Sequence, residues 1–273
     1  MNVAAALAAA QSHGLERLDA QLLLLHALGR ADSDRAWLLA HDADRLAADA
    51  YAAFAALCAR RATGEPLAYI VGRKEFFGLD LRIDRRVLVP RPETETLVEW
   101  ALETIDERAH VIDLGTGSGA IALALKHARP QARVEAVDQS AAALDVAREN
   151  ARRLSLDVRF AAASWLANND ERYDLIVSNP PYVADGDPHL AALQHEPLGA
   201  LQSGPDGLRD IRTIVAQAPH HLQRGGWLML EHGWDQAEAV RGLLRAAGLR
   251  EVASRRDLAG IERCSGGRWL ELG

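Results

Sequence analysis

The chain of 273 residues is short of cysteine, of net positive charge and of long apolar runs. Its two cysteines, Cys58 and Cys264, are far apart and match no metal or redox spacing. That excludes a disulfide framework and fits a reducing, cytoplasmic setting. No apolar run approaches the roughly 20 residues that span a bilayer, so no membrane contact is expected. The opening Met1-Asn2-Val3-Ala4-Ala5-Ala6-Leu7 has no basic n-region and no convincing cleavage pattern, so no signal peptide is expected. The formal charge of −7 argues against a protein whose affinity rests on many phosphate contacts. There is no internal repeat, and no low-complexity tract beyond Ala-rich helix. What remains is a chain that is 49% hydrophobic, enough for a sizeable core and two domains.

Residues 1–72 read as helices. Leu22 to Leu28 is apolar except for His26, with Gly29 past its end. Ser33 is placed to cap a helix carrying Trp37, Leu38 and Leu39, and an Ala-rich helix runs from Leu46 to Arg61 until Gly64 and Pro66 stop it. The period then changes. Phe77, Leu79, Leu81 and Ile83 alternate with Gly78, Asp80, Arg82 and Asp84, which predicts a half-buried strand. Val87 to Val89 reads as its hairpin partner, turned at Asp84-Arg85-Arg86, so that residues 73–90 form a β-hairpin linker. A helix is expected over Glu93 to Glu107, with the acids Glu93 and Glu95 at its N-terminus.

From His110 strands and helices alternate. Strands are expected at 110–114, 134–137, 158–161, 175–177 and 227–230. Helices are expected at 120–127, from Ser140 to about Arg153, at 208–222 and at 236–247. Two closing strands are expected at 252–254 and 268–272. The alternation predicts an α/β fold, a doubly wound sheet over residues 91–273. A polar insertion, 184–207, interrupts it, rich in Gly and Pro.

Two turns at strand ends carry the chemistry, where open α/β sheets bind ligands. The first is Asp113-Leu114-Gly115-Thr116-Gly117-Ser118-Gly119. It partly fits a dinucleotide fingerprint. The carboxylate of Asp113 ahead of the turn would repel a pyrophosphate but not an amino group or a sulfonium. Asp138 ends the next strand, about 20 residues on, where an acid holds ribose hydroxyls. S-adenosylmethionine (SAM), with a ribose and a cationic sulfur but no phosphate, suits this set better than NAD. The second turn is Asn179-Pro180-Pro181-Tyr182. The two prolines fix φ and remove both backbone donors, leaving carbonyl oxygens without neighbouring N–H groups. Asn179 adds a side-chain acceptor and Tyr182 a flat wall. This acceptor-rich clamp suits a planar group bearing an NH2, either a carboxamide or the exocyclic amine of a base.

In combination these segments resemble class I SAM-dependent methyltransferases: Asp113 to Ile121, Val137 to Ser140 with Ala143-Leu144 and Ala147 to Asn150, and Asn179 to Tyr182. Further segments narrow the resemblance: Gly72 to Gly78, Val87 to Glu95, His195-Glu196-Pro197, Gly204 to Leu208, Leu230-Glu231-His232-Gly233 and Asp257 to Gly260. The chain is similar to the protein-(glutamine) methyltransferases that modify peptide-chain release factors, the PrmC/HemK family.

That resemblance implies a Rossmann-like methyltransferase domain behind an N-terminal helical domain, and residues 1–72 are expected to dock the partner because a small clamp cannot select one glutamine among all proteins. It implies methylation of the amide nitrogen (N5) of the glutamine in the release factors' GGQ motif, with S-adenosyl-L-homocysteine as product and no metal. Gly115, Thr116, Gly117, Ser118 and Gly119 would line the methionine part of SAM. Asp138 would hold the ribose, and Trp165 would lie by the adenine. Asn179, Pro180, Pro181 and Tyr182 would receive the glutamine, and Asn179 would also contact SAM. The protein is expected to act as a cytoplasmic monomer with no nucleic-acid substrate and no essential histidine. Two other substrates present the same pair of N–H groups: a glutamine of a ribosomal protein, and adenine N6 in a nucleic acid, flipped into the clamp.

Overall fold

The change of hydrophobic period near residue 73 coincides with a change of architecture. The computed structural model describes residues 1–270. It divides into two compact units, Met1–Arg73 and Lys74–Gly273.

The first unit is helical: α1 (Val3–Ser12), α2 (Arg17–Ala27), α3 (Arg35–Ala40), α4 (Ala48–Ala62) and α5 (Leu67–Val71). Asn2 caps α1, its side chain accepting from the Ala5 N–H at 2.8 Å. Gly29, at φ +65°, follows α2 in the left-handed conformation its position requires. Ser33 does not cap α3. It lies within a 3-10 turn, Asp32–Asp34, and no side chain caps the helix. The core of the unit gathers Leu23, Leu24 and Leu25 of α2 with Leu38, Phe54 and Ile70. Glu65, buried at the end of α4, is held by both arms of Arg60 at 2.8 and 2.9 Å.

At the boundary β1 (Arg73–Phe76) begins, and with β2 (Leu79–Arg82) it forms a two-stranded sheet of its own. The hairpin therefore turns at Phe77-Gly78, not at 84–86, and Val87–Val89 is not a strand. Phe77 and Gly78 both have positive φ, at 50° and 77°, the pairing a two-residue hairpin turn needs. The Phe77 N–H donates to Glu95 Oε1 at 2.9 Å and Gly78 N–H to Glu75 Oε1 at 2.6 Å, which holds the turn despite the cost of left-handed Phe77. Leu79, Leu81 and Ile83 are buried, as their alternation required.

After α6 (Glu95–Thr104) the alternating units follow: β3 (His110–Leu114), α7 (Ala120–Ala128), β4 (Arg133–Asp138), α8 (Ala141–Leu154), β5 (Arg159–Ala162), β6 (Tyr173–Ser178), α9 (Arg209–His221), β7 (Leu222–Glu231), α10 (Ala237–Ala246), β8 (Arg250–Arg256) and β9 (Glu262–Arg268). The strand order is β5-β4-β3-β6-β7-β9-β8. Pairs from β5 to β7 are parallel, and β9 runs antiparallel to both its neighbours. Both faces are covered, as parallel sheets require. Ile112 and Leu114 of β3 join a core with Ile211, Ile214, Val240 and Leu244 from α9 and α10. Asp113, between them, faces α7.

The closing strand lies at 262–268, earlier than the expected 268–272, and residues 271–272 of that expectation lie outside the described residues. Ser265-Gly266-Gly267 hides this strand from a hydrophobic pattern. A Cβ on Gly266 would stand 2.9 Å from the Leu228 carbonyl and 3.0 Å from the Trp100 ring. Among the described residues no helix is long and apolar enough to cross a membrane.

Gly242, in the middle of α10, has open space where a Cβ would stand. We expect Gly242→Ala to stabilise the protein by about 0.5–1 kcal/mol, and Gly266→Val to destabilise it by roughly 1–3 kcal/mol, both read from urea unfolding.

Candidate active site

The strand order reverses between β3 and β6, which puts a crevice outside their carboxyl ends. Leu114 and Ser178 are register partners. The Ser178 hydroxyl donates to the Leu114 carbonyl at 2.6 Å, so the two loops leave the sheet side by side.

The loop after β3 is fixed by backbone bonds. Gly115 and Thr116 N–H groups donate to the Val137 carbonyl at 2.8 and 2.9 Å. The Gly117 N–H donates to Asp138 Oδ2 at 3.0 Å, and Asp138 Oδ1 accepts from Ser140 N–H at 2.8 Å. Each Asp138 oxygen keeps a further lone pair. A cavity of about 300 Å³ opens beside this turn. Gly115, Gly117, Asp138, Trp165, Asn179 and Pro181 line it. Its other wall includes Val87 and Leu88. A smaller cavity, about 100 Å³, shares Leu88, Asn179 and Ala200 with it and adds Arg91 and Tyr182. Asn179 thus stands where the two meet.

Thr116 and Ser118 do not line this cavity. Both are buried. The Thr116 hydroxyl donates to Asp113 Oδ2 at 2.6 Å, and the Ser118 carbonyl accepts from Asn150 Nδ2 at 3.0 Å. Asn150 also brackets the backbone of Arg82, accepting from its N–H at 2.7 Å and donating to its carbonyl at 3.0 Å. Gly119 precedes α7 at φ +85°. Trp165, at φ +53°, packs on the core and lines the cavity. A Cβ on Gly115 would meet the Trp165 ring at 3.2 Å.

The donor set suits a cation and a ribose. Asp113 is fully buried, and its Oδ1 has no partner among the described residues. Burial pushes its carboxyl up to about 7, against the Thr116 hydroxyl and the Ala122 N–H. A nearby cation would restore the charged form. Arg86 is the basic side chain on the cavity wall, and Asp84 engages it at 2.6 and 2.8 Å.

In the second loop Pro180 is buried. Among the described residues no N–H is bonded to the Pro180 carbonyl or to Asn179 Oδ1. Asn179 Nδ2 donates to Thr94 Oγ1 at 3.2 Å. Tyr182 is held at both ends. Its carbonyl accepts from Gln236 Nε2 at 3.0 Å, and its hydroxyl donates to Glu231 Oε1 at 3.3 Å. Burial pushes that hydroxyl's pKa up, keeping it protonated. Gly207, at φ +71°, passes so close that a Cβ there would lie 2.2 Å from the Tyr182 carbonyl.

Thr94, Glu196 and Glu231 carried no role in the sequence reading. Glu196, buried in the insertion, accepts from the Val89 N–H at 3.0 Å and pairs with Arg91. The signal for all three was their place in the Arg-Pro-Glu-Thr-Glu, His-Glu-Pro and Leu-Glu-His-Gly segments. His232 is fully buried, with Nδ1 at 2.9 Å from the Gly233 carbonyl and Nε2 at 2.8 Å from Ser265 Oγ. Among the described residues no group of three or more His, Cys, Asp or Glu is placed to hold a metal ion.

Comparison with known proteins is consistent with this geometry. The model of the PrmC N-terminal domain matches residues 2–72, and that of the methyltransferase small domain matches residues 93–198. The chain is 55% identical over 260 residues to a release factor glutamine methyltransferase of Bordetella pertussis, covering 93% of this chain and 95% of that one. It is 54% identical over 269 residues to the enzyme of the same name from Xylella fastidiosa, covering 96% and 97%. A methyltransferase from Pyrococcus furiosus shares the fold with a TM-score of 0.56 at 21% identity, over 77% of this chain and 95% of that one.

Burial raises Glu231 as well as Asp113 to about 7. Both folded-state values lie above the unfolded ones, so the folded protein holds more protons between about pH 4 and 7. The stability these groups contribute is present below about pH 4 and lost as pH rises through about 7. We expect the melting temperature of Asp113→Asn relative to wild type to be several degrees higher at about pH 8 than at about pH 5, because the variant cannot titrate. An equal difference at both pH values contradicts the assignment.

Proposed function

The chain belongs to the release factor glutamine methyltransferases, and on that premise we propose that it methylates the amide nitrogen (N5) of the glutamine in the GGQ motif of peptide-chain release factors. The observation that carries this reading is a pair of unengaged acceptors, Asn179 Oδ1 and the Pro180 carbonyl, next to a cavity with an acid–glycine wall.

SAM, when bound, supplies a methyl group on a cationic sulfur. The turn Gly115 to Gly119 would hold its methionine part, with the buried Asp113 supplying negative charge nearby. Asp138 would hold the ribose and Trp165 would stack by the adenine. Thr116 and Ser118 serve the turn from inside: the Thr116 hydroxyl steadies Asp113, and the Ser118 carbonyl anchors the turn on Asn150.

The amide nitrogen of glutamine is a poor nucleophile because its lone pair is delocalised into the carbonyl. A general base helps little, since neutral amides are very weak acids. Asn179 Oδ1 and the Pro180 carbonyl each accept one N–H, which turns the nitrogen lone pair toward the reacting methyl. Prolines at 180 and 181 keep those oxygens still and free of competing donors. Tyr182 walls the side chain in. Such positioning is worth about 7–11 kcal/mol in favourable cases, and fixed carbonyl dipoles add electrostatic preorganisation. The proton leaves once the nitrogen has become acidic, so no histidine is assigned a role.

Neither other substrate is favoured. The net charge of −7 counts against a nucleic acid, and similarity over nearly the whole length runs to enzymes named for release factors. Residues 1–72 we assign to docking of the release factor, since a small clamp cannot select one glutamine among all proteins. The enzyme acts in this reading as a cytoplasmic monomer.

We expect Asn179→Ala to lower kcat with a purified unmethylated release factor by at least about 100-fold, while calorimetry still detects SAM binding. Full activity in that variant removes the clamp. Deleting residues 1–72 should raise KM for the release factor by roughly 10-fold or more and leave KM for SAM within about 2-fold. Unchanged kinetics would make the bundle merely structural.

A further inference from the structure

The segments Gly204 to Leu208 and Leu230 to Gly233 each contain a glycine, Gly207 and Gly233, that the mechanism leaves without a role. Both glycines stand against one side chain, Gln236, which lies just ahead of α10. Gln236 Oε1 accepts from the Gly233 N–H at 2.8 Å. Its Nε2 donates to the Tyr182 carbonyl at 3.0 Å and to the Asp206 carbonyl at 3.3 Å. A side-chain amide carries two N–H hydrogens, so both are used. A backbone N–H only donates and a carbonyl only accepts, so the amide has one orientation here. A Cβ on Gly233 would stand 3.0 Å from Gln236 Oε1, and one on Gly207 would stand 2.7 Å from Nε2. The two glycines make room for this amide.

What the amide holds is the last residue of the clamp. Tyr182 is tied at its carbonyl by Gln236 and at its hydroxyl by Glu231, the latter at 3.3 Å. Two ties at opposite ends of one residue fix the plane of its ring. The next residue is laced to the insertion: the Val183 N–H donates to the Leu201 carbonyl at 2.8 Å, and the Ser203 N–H donates to the Val183 carbonyl at 2.9 Å. Gln236 closes that lacing at Asp206. Tyr182, Val183, Ala200 and Leu201 all line the smaller cavity beside Asn179. Gln236 itself lines neither cavity. Its own backbone is anchored, since its N–H donates to the Gly233 carbonyl at 3.1 Å and its carbonyl accepts from the Val240 N–H of α10 at 3.0 Å.

We propose that Gln236 is a positioning residue that serves the reaction by fixing Tyr182, the wall against which the substrate glutamine lies. The inference rests on the reading of Tyr182 as that wall. Gln236→Glu is nearly isosteric and keeps the bond to the Gly233 N–H, so the start of α10 is preserved. It turns a carboxylate oxygen toward the Tyr182 and Asp206 carbonyls, which repel it. Gln236→Met keeps the length of the side chain and loses all three bonds. Both substitutions leave every residue that lines the two cavities unchanged.

The test is steady-state kinetics at about pH 8, where an introduced glutamate is ionised, with SAM and a purified unmethylated bacterial release factor. SAM affinity is measured by calorimetry and folding by thermal unfolding. Gln236→Glu and Gln236→Met should each lower kcat roughly 10-fold or more, with KM for the release factor and SAM affinity within about 3-fold of wild type. In a Tyr182→Ala background Gln236→Met should cost no more than about 2-fold, because the ring it positions is gone. Wild-type kcat in either Gln236 variant, a loss that falls on KM or on SAM affinity instead, or the full cost of Gln236→Met without the ring would each overturn the proposal. Tyr182→Ala alone separates the two readings. If it is slow while both Gln236 variants are normal, the positioning claim alone fails; if it is fully active, the wall reading fails. Should Gln236→Met not fold, Gln236→Glu carries the test, alone and in the Tyr182→Ala background.

Discussion

The hydrogen bond from the Ser178 hydroxyl to the Leu114 carbonyl, 2.6 Å long, joins the last residues of the two strands between which the sheet changes direction. Everything at the site is built outward from that joint. One strand continues into the glycine turn and the other into the double proline. Because parallel neighbours end at the same level, the two loops need no long segment to bring them together. Each loop is then tied to a further layer: the glycine turn to β4 through Val137 and Asp138, and the proline loop to Thr94, Gln236 and Glu231.

Buried carboxylates do the tying. Glu196 gathers Val89 and Arg91, and Glu231 receives Tyr182, while the half-buried Glu95 holds the Phe77 turn. Burial is costly for a charge unless donors surround it. Glu196 has a backbone N–H and a guanidinium and shows how the insertion is fastened to the segment beside the cavity. Asp113 and Glu231 each keep one oxygen without a partner among the described residues. Such groups are held at a cost to stability, the usual mark of a functional site.

Much of this was legible in the sequence. The parallel strands carry runs such as Val111 to Leu114 and Leu175 to Val177, and the alternation of strands and helices gives the doubly wound sheet. Gly115 and Gly117 announce a turn that only glycine enters easily, and Pro180 and Pro181 announce a backbone without donors. The hairpin was misplaced because Phe77 fits a strand's alternation. Its left-handed backbone is imposed by Glu95, which is distant in sequence. Strand β9 was displaced because Gly266 is selected by the closeness of Trp100 and Leu228, not by hydrophobicity. Thr94 and Glu231 were passed over for a similar reason. Only the fold brings Thr94 to the Asn179 amide and Glu231 to the Tyr182 hydroxyl.

The account comes down to two oxygens, Asn179 Oδ1 and the Pro180 carbonyl, holding the two hydrogens of one primary amide. A crystal structure of the protein with S-adenosyl-L-homocysteine and an unmethylated release factor tests it most directly. The account predicts the glutamine amide nitrogen within about 2.7–3.2 Å of both oxygens. A glutamine nitrogen bonded to neither, with those oxygens turned onto protein donors, would contradict it.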